Sequence, residues 1–208
     1  MKKVLLLVVI TTVLIGACRK EDNSDKQTTH YTPMQVGDYW IYKTYKIDTQ
    51  GNETDLNRID STFIETDTLI RNNTYHVLRT NANYGPHRLQ IIRDSAGYIV
   101  NHKGERIFSD RDFTNIIREK YLVISSDTVG LATWRMERIN GAVSVPAGTF
   151  DDVLNVKETV TFTPQSGFPS PREFKKYCAP NIGRILDSWG FFSTTDIYER
   201  RLIRYHIN

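Results

Sequence analysis

The sequence predicts an all-β or mainly β fold, in which a single antiparallel sheet curves strongly or closes into a half-barrel. Runs of aromatic and β-branched residues recur along the chain, and Gly, Asn, Asp and Ser turns separate them at regular spacing. Several runs alternate so that one face is covered and the other wet, as antiparallel sheets allow. Strands do not alternate with helical segments, so a parallel sheet is not expected.

The predicted strands follow one another with short connections. They cover residues 39–47, 59–69, 75–79, 89–93, 98–100, 106–108, 134–139, 143–145, 153–163, 172–178, 183–189 and 195–206. In the strand over 153–163, Val156, Glu158, Val160 and Phe162 share one side because side chains alternate along a strand. Asn140-Gly141 is the strongest short hairpin signal and predicts that 143–145 returns after 134–139.

Residues 112–122 allow two interpretations. Phe113, Ile116, Ile117 and Tyr121 recur at helical spacing behind Asp112, a good N-cap residue, which predicts one short helix. The alternative is a strand over residues 121–125. Both interpretations stay open from the sequence.

Three segments carry a resemblance over most of the chain: residues 36–42, residues 145–154 with Val-Pro-Ala-Gly-Thr-Phe, and residues 177–185. Their order is similar to secreted β-rich bacterial lipoproteins of unknown function. The resemblance implies a curved antiparallel sheet, similar to lipoprotein-carrier half-barrels, and implies no established reaction. Cys178 stands where an aromatic residue is usual and Asn181 where Gly is usual; Asn tolerates positive φ, so the turn is expected to persist.

The N-terminus has the layout of a secretory signal peptide. A cationic start at Lys2 and Lys3 precedes the apolar run 4–15, and small residues follow at Gly16 and Ala17. The run is shorter than the roughly 18 to 20 residues that a membrane-spanning helix needs, and charged residues follow it at once. Residues 1–17 are therefore predicted to be removed on export.

The stretch 14–18, Leu-Ile-Gly-Ala-Cys, resembles the lipobox of bacterial lipoproteins. The resemblance implies cleavage before Cys18, diacylglycerol on its sulfur and a further acyl chain, such as palmitate, on its amine. Several acyl chains hold a protein on a membrane essentially permanently. Residues 19–23 resemble the acidic export signal of Bacteroidota lipoproteins, which implies the outer membrane, with its cell-surface side favoured over its periplasmic side. Residues 18–32 are predicted to be a lipidated flexible tether, and 33–208 a single β-rich domain.

Charge gives no reason to expect a nucleic-acid partner. The full chain carries 27 basic and 24 acidic residues; without residues 1–17, which contain Lys2 and Lys3, 25 basic residues face 24 acidic ones. A nucleic-acid surface needs a clustered basic face.

Cysteine usage leaves Cys178 without a disulfide partner. The chain has two cysteines, and the lipid is expected on Cys18. A lone cysteine is more often a small buried apolar residue than a nucleophile, so Cys178 is predicted to lie in the core.

No motif for catalysis, cofactor binding or metal binding stands out. The sequence lacks a Gly-x-Ser-x-Gly elbow, His-Glu-x-x-His, a phosphate-binding Gly-rich loop and Cys-x-x-Cys. The five histidines are scattered without ligand spacing: His30, His76, His87, His102 and His206. We therefore expect no enzyme, no cofactor and no metal site.

A triplet of Asp, then Ser or Thr, then a small or aliphatic residue or Thr recurs along the chain. It resembles the acceptor site for O-linked glycans on exported Bacteroidota proteins, although the same residues favour turns for local reasons. The candidate acceptors are Ser61, Thr68, Ser95 and Thr128.

The first functional hypothesis is a non-enzymatic, membrane-anchored binding or assembly module with a lipid, glycan or protein partner. It predicts a groove lined by aromatic residues that could equally be ordinary core: Trp40, Tyr42, Trp134, Phe162 and Trp189. The alternatives are a surface hydrolase acting on glycans or lipids, which needs acids or a Ser/His pair in a cleft, and a purely structural envelope lipoprotein.

Overall fold

The computed structural model describes residues 30–82 and 88–208, and in that part of the chain the structure is nearly all β. The strands are β1 (Tyr39–Ile47), β2 (Glu53–Ile70), β3 (Asn73–Ala82), β4 (Arg88–Ser95), β5 (Tyr98–Asn101), β6 (Arg106–Ser109), β7 (Ile116–Ile124), β8 (Asp127–Arg138), β9 (Val143–Val145), β10 (Gly148–Phe150), β11 (Leu154–Phe162), β12 (Arg172–Phe174), β13 (Lys176–Ala179), β14 (Gly183–Trp189) and β15 (Ile197–His206). One short 3-10 turn, Pro164–Ser166, is the exception.

Thirteen strands form one antiparallel, strongly curved sheet that nearly closes on itself, which confirms the predicted fold class. Its order is β6-β5-β4-β3-β2-β1-β15-β14-β13-β11-β8-β7, with β12 paired to β11 off this path. The two edge strands, β6 and β7, are consecutive in the chain and contact each other. The short connection 110–115 therefore joins the two edges of the sheet.

The first and last strands pair side by side in the middle of this order. β1 and β15 are antiparallel from Tyr39–His206 to Ile47–Ile197, with a bulge after Ile41. The fully buried Asp38 carboxylate reinforces the pair: it accepts hydrogen bonds from the Gln35 amide at 2.9 Å and from the Asn208 amide at 2.9 Å. Buried polar groups must be satisfied in this way, so Asp38 fixes the start of β1 to the end of β15.

The hydrophobic core forms two clusters. One lies between strands β4–β8 and β11–β13 and consists of Ile92, Ile99, Phe108, Ile117, Ala132, Trp134, Met136, Leu154, Val156, Val160, Phe162, Phe174 and Cys178. The other is centred on β1, β14 and β15 and consists of Trp40, Tyr42, Ile64, Val145, Val153, Ala179, Ile185, Leu186 and Leu202. The separate β9–β10 hairpin, which holds the Val-Pro-Ala-Gly-Thr-Phe motif, packs on the second cluster.

The predicted helix over 112–122 is wrong, because strand β7, Ile116–Ile124, covers most of this segment. The alternative strand over 121–125 is the right type of element, but the strand begins five residues earlier. The Asp112 carboxylate accepts hydrogen bonds from Tyr98 Oη at 2.7 Å and from the Asn115 amide at 3.1 Å, so it closes a turn instead of capping a helix. Beyond the turn, β7 pairs with β8 from Ile116 to Ile124. The long neighbouring strand offers backbone hydrogen bonds along this length, and the β-branched residues of the segment favour a strand.

The turn predicted at Asn140-Gly141 is present, but the predicted pairing of the two strands around it is wrong. Gly141 has the positive φ of a tight turn. However, β9 does not return along β8: it pairs with β10, and β8 pairs instead with β11. The motif over 145–150 provides a local partner for β9, which the turn signal alone could not reveal.

The predicted signal peptide, the lipobox with Cys18 and residues 18–29 of the predicted tether lie outside the described residues. Residues 30–32 are described and contact the domain: the His30 amide donates to Asn181 Oδ1 at 3.0 Å, and Tyr31 Oη donates to the Asp152 carbonyl at 2.9 Å. Within 30–82 and 88–208, no helix is long and apolar enough to cross a membrane.

Replacing Leu202, a fully buried residue of β15, should strongly destabilise the domain. Leu202→Ala leaves a cavity in the second core cluster, and we expect the free energy of unfolding to fall by about 2–5 kcal/mol. Leu69→Ala is the matched control, because Leu69 on β2 is 74% exposed, and its cost should stay within about 0.5 kcal/mol. Urea unfolding measures both; equal losses would contradict the assigned core.

Candidate binding cavity

The curved sheet encloses a cavity of about 610 Å³. Its lining comes from twelve of the thirteen strands of the large sheet, all except β12. A cavity with walls from so many strands can lie only on the concave side, so it is the interior of the sheet. We call it the interior cavity.

A row of mostly charged side chains, with Thr44 and Trp134 among them, crosses the interior cavity. Directly opposed residues of neighbouring strands share a face of the sheet, and the register joins Arg58, Thr44 and Arg200 across β2, β1 and β15. The row continues through β14, β13, β11, β8 and β7. We call these residues the charged belt: Arg58, Thr44, Arg200, Asp187, Lys176, Glu158, Trp134 and Arg118.

Asp187 is the buried anion of the charged belt. Arg200 donates to it through Nε at 3.1 Å and Nη2 at 2.8 Å, and Arg184 Nη1 donates at 3.3 Å. Burial alone would raise the pKa of Asp187, but the two guanidinium groups outweigh burial and lower it. Burial likewise opposes the charge on Arg200, and Asp187 outweighs it and raises the Arg200 pKa. This carboxylate stays ionised and holds two arginines in place.

The second anion, Glu158, lies on β11 and receives a weaker contact. Lys176 Nζ is 3.5 Å from Glu158 Oε2. Burial lowers the pKa of Lys176, and Glu158 only partly opposes that shift. Across the belt, the Arg118 guanidinium stacks 3.8 Å above the Trp134 ring, and burial also lowers the Arg118 pKa. Both cations are therefore desolvated more than their partners compensate.

Hydrogen-bond donors remain unpaired beside these charges. Among the described residues that line the cavity, three buried side-chain nitrogens have no acceptor: Arg118 Nε, Trp134 Nε1 and Arg184 Nε. Unsatisfied buried polar groups are rare in folded proteins, so three at one site indicate a local surplus of donors.

Cations also outnumber acids in the described lining as a whole. The cations are Arg58, Arg88, Arg118, Lys176, Arg184 and Arg200. The acids are Asp60, Glu158 and Asp187. The lining thus carries three more positive than negative side chains, although the chain as a whole is close to neutral.

Aromatic residues of β1 fix the β13–β14 turn against the cavity. Trp40 Nε1 donates to the Ile182 carbonyl at 2.6 Å, and Tyr42 Oη donates to the Arg184 carbonyl at 2.9 Å. Gly183 sits between these contacts at φ +88°, where a Cβ would lie 3.1 Å from Pro33 Cδ and 3.4 Å from Trp40. A side chain there would be strained and would push the turn off the wall.

An apolar wall adjoins the charged belt on the β3–β6 side. It is formed by Leu78, Ile92, Ile99, Ile107 and Phe108. Trp189 and Phe191 also line the cavity, yet both are partly exposed to solvent, so they mark an accessible part of its wall. The interior cavity therefore has one charged and one apolar region side by side.

The structure brings together four of the five aromatic residues predicted for a groove. Trp40, Tyr42, Trp134 and Trp189 line the interior cavity. Phe162 does not: it packs on Phe168 and Phe192 with ring centroids 5.2 and 5.0 Å away. Trp40, Tyr42 and Trp134 are also buried core residues, so the same side chains both line the cavity and belong to the core.

Other residues singled out from the sequence have structural placements. Cys178 is free and buried, as predicted, and burial raises the pKa of its thiol to about 11. Asn181 has φ +58°, so the turn tolerates Asn in place of Gly. Of the histidines, His76 pairs with Asp67 at 2.7 Å, and His87 lies outside the described residues. Within the part of the chain that the structure describes, no group of three His, Cys, Asp or Glu side chains could hold a metal.

The proposed glycan acceptors do not form a cluster. Ser61 and Thr68 lie on β2 and Ser95 ends β4, all half-buried, whereas Thr128 on β8 is exposed. O-glycosylation at these four positions stays a prediction.

The charged belt was not predicted from the sequence. Its one visible signal was Glu158, which interrupts an otherwise apolar side of the strand over 153–163. Charges at inward positions of several predicted strands would have suggested a polar interior. Only the strand register and the Lys176–Glu158 contact show that these charges form one row.

Comparison with known proteins identifies the fold and no family. No protein-family model and no curated protein matches the chain. A solved structure from Bacteroides fragilis NCTC 9343, designated an exported protein with a YmcC-like fold, aligns with a TM-score of 0.52 at 15% identity. A structure from Parabacteroides distasonis ATCC 8503, designated a lipoprotein, aligns with a TM-score of 0.51 at 14% identity. Each alignment covers 86% of this chain and 99% of the other, so the shared fold spans the whole domain.

Removing the Asp187 charge should destabilise the domain at neutral pH. Asp187→Asn leaves Arg200 and Arg184 without their buried anion, and breaking such a pair costs about 3–5 kcal/mol. Asp151→Asn, at an exposed loop position, is the control and should change little.

In Asp187→Asn, the free energy of unfolding should also depend less on pH under acidic conditions than it does in the wild type. Because folding lowers the Asp187 pKa, its contribution is complete above the usual value of 3.8 and is lost as pH falls through the folded pKa. The difference between wild type and Asp187→Asn in urea unfolding should therefore shrink on going from pH 7 to pH 2. A difference independent of pH would contradict the ion-pair assignment.

Proposed function

We propose that this chain is an exported, membrane-anchored lipoprotein whose domain is a non-enzymatic binding module, holding one small-molecule ligand in the interior cavity. The cavity itself carries the proposal: a space of about 610 Å³ enclosed by the sheet falls within the roughly 300–1,000 Å³ typical of small-molecule sites. A purely structural domain has no need to keep such a space lined by charges.

The chemistry of the lining supports binding over hydrolysis. A glycosidase needs a carboxylic acid with a raised pKa as proton donor. Asp187 instead has a lowered pKa and is held by two arginines. Glu158 contacts Lys176. Both acids pair with cations of the lining, which favours a binding site over a hydrolase.

The anchor in this proposal comes from the lipobox at 14–18 and the acidic stretch after it. Lipid on Cys18 would hold the domain on the outer membrane, on the cell-surface side in preference to the periplasmic side. The two proteins of similar fold, designated exported protein and lipoprotein, support export and lipid anchoring.

Native mass spectrometry of the protein purified gently from its own host should find a retained small molecule. Thr80→Trp should abolish it, because Thr80 lines the cavity and an indole would fill part of that space. Thr74→Trp, at an exposed position on the same strand, should retain it. A mass without ligand for the wild type, or equal retention by both variants, would contradict the binding proposal.

Protease added to intact cells should degrade the domain, because surface display leaves it outside the permeability barrier. Its amount would be followed by immunoblot, with a periplasmic protein as the control for cell integrity. Degradation only after the outer membrane is permeabilised would instead place the domain in the periplasm.

A further inference from the structure

The charges of the interior cavity do not balance internally. Six cationic and three acidic side chains of the described chain line it. Asp187 is shared between Arg200 and Arg184, and Glu158 contacts Lys176. Both of these anions are already engaged. Two of the six cations, Arg58 and Arg88, are exposed to solvent, and the four less exposed ones still outnumber the three acids.

Two cations of the charged belt are the ones that gain most from another anion. Lys176 is 3.5 Å from its acid, a long contact. Arg118 lies 4.0 Å from Glu105 and stacks on Trp134. Burial lowers the pKa of both groups. An added negative charge in the cavity would offset that desolvation, and ionised hydrogen bonds are about twice as strong as neutral ones.

The unpaired hydrogen-bond donors in the lining also favour an anionic ligand. Among the described residues that line the cavity, the buried side-chain nitrogens without an acceptor are all donors: Arg118 Nε, Trp134 Nε1 and Arg184 Nε. A ligand that brought further donors would add to this surplus. A carboxylate or a phosphate brings acceptors only.

The apolar wall specifies the rest of the ligand. Ile92, Ile99 and Phe108 are buried residues that line the cavity beside the charged belt. A small inorganic anion would leave this wall uncovered, whereas each apolar side chain removed from water contributes to binding.

We infer that the interior cavity binds an amphipathic organic anion, with its carboxylate or phosphate at the charged belt near Lys176 and Arg118 and its apolar body against the wall of Ile92, Ile99 and Phe108. This inference rests on the proposed binding function and names the chemical class of its ligand. The oxyanion supplies the acceptors that the belt lacks, and the apolar body fills the adjoining space.

Three probes of one chain length separate charge from apolar burial: decanoate, decyl phosphate and the neutral decanol. Intrinsic fluorescence reports binding directly, because the three tryptophans of the chain, Trp40, Trp134 and Trp189, all line the cavity. The full-length chain carrying Cys18→Ser keeps attached lipid out of the assay. At least one acid should bind roughly tenfold or more tightly than decanol at low salt, as expected for one charge-assisted contact.

Lys176→Met removes a cation of the belt and retains an unbranched side chain of similar length. We expect it to weaken binding of the acid by roughly tenfold and to leave decanol binding unchanged. Lys175→Met is a closely matched control: Lys175 is the preceding residue, also contacts one glutamate (Glu199, at 2.7 Å), and does not line the interior cavity. Its acid affinity should equal that of the wild type.

The two acids identify the head group, since preference for decanoate indicates a carboxylate and preference for decyl phosphate a phosphate. Inorganic phosphate alone should bind far more weakly than decyl phosphate, because it cannot cover the apolar wall.

Three outcomes would overturn the inference: equal affinity for decanol and both acids, equal losses in Lys176→Met and Lys175→Met, or no binding of either acid. Equal binding of acid and alcohol would overturn the anionic ligand alone, whereas a cavity that holds no probe and no host molecule would overturn the binding function as well.

Discussion

The pairing of β1 with β15 is the constraint on which the rest of the structure depends. All other strands of the large sheet extend from this pair in two arms, one through β2 to β6 and the other through β14 to β7. Buried Asp38 ties the two strands at one end, and Tyr42 and Leu202 pack opposite each other within the pair. The residues that pair are about 150 to 167 positions apart. Forming this pair requires closing a long loop, which places the fold among the slow, non-local topologies.

A closed β sheet usually fills its interior with apolar side chains, and here the β1–β15 pair places Thr44 and Arg200 at the centre of the concave face. Arg200 requires Asp187, and Asp187 attracts Arg184, so one inward cation leads to a network across several strands. Removing Asp187 would leave Arg200 and Arg184 without their shared carboxylate in a poorly solvated space. The stability of the domain and the character of its cavity therefore have the same origin, and a substitution that alters the ligand site is expected to alter unfolding as well.

Much of the fold could be predicted from the sequence because local signals determine strands. Aromatic and β-branched runs marked β1, β11 and β15, and Asn181 kept its turn. Segment 112–122 was ambiguous since its apolar spacing fits a helix, and only the neighbouring β8 decides for the strand. The partner of β9 was predicted incorrectly for the same reason, because strand pairing depends on residues far apart in the sequence.

The candidate site was predictable only in part. Trp40, Tyr42, Trp134 and Trp189 were identified by residue type. The charged belt depends on the register between strands and on the Lys176–Glu158 contact, which periodicity cannot supply.

The contacts of Tyr31 give the N-terminal segment a geometric role. Tyr31, Thr32 and Pro33 form part of the cavity wall, and Tyr31 is held by the Asp152 carbonyl. Cys18 and His30 are twelve positions apart, and a fully extended chain of that length reaches roughly 40 Å at most. Lipid at Cys18 would thus anchor the domain through a segment that joins it at the wall of the cavity, not at a remote surface. The domain could rotate about this segment, but the cavity would remain within about one bilayer thickness of the membrane surface. A molecule that dissolves poorly in water would therefore travel only a short distance from the membrane to the cavity.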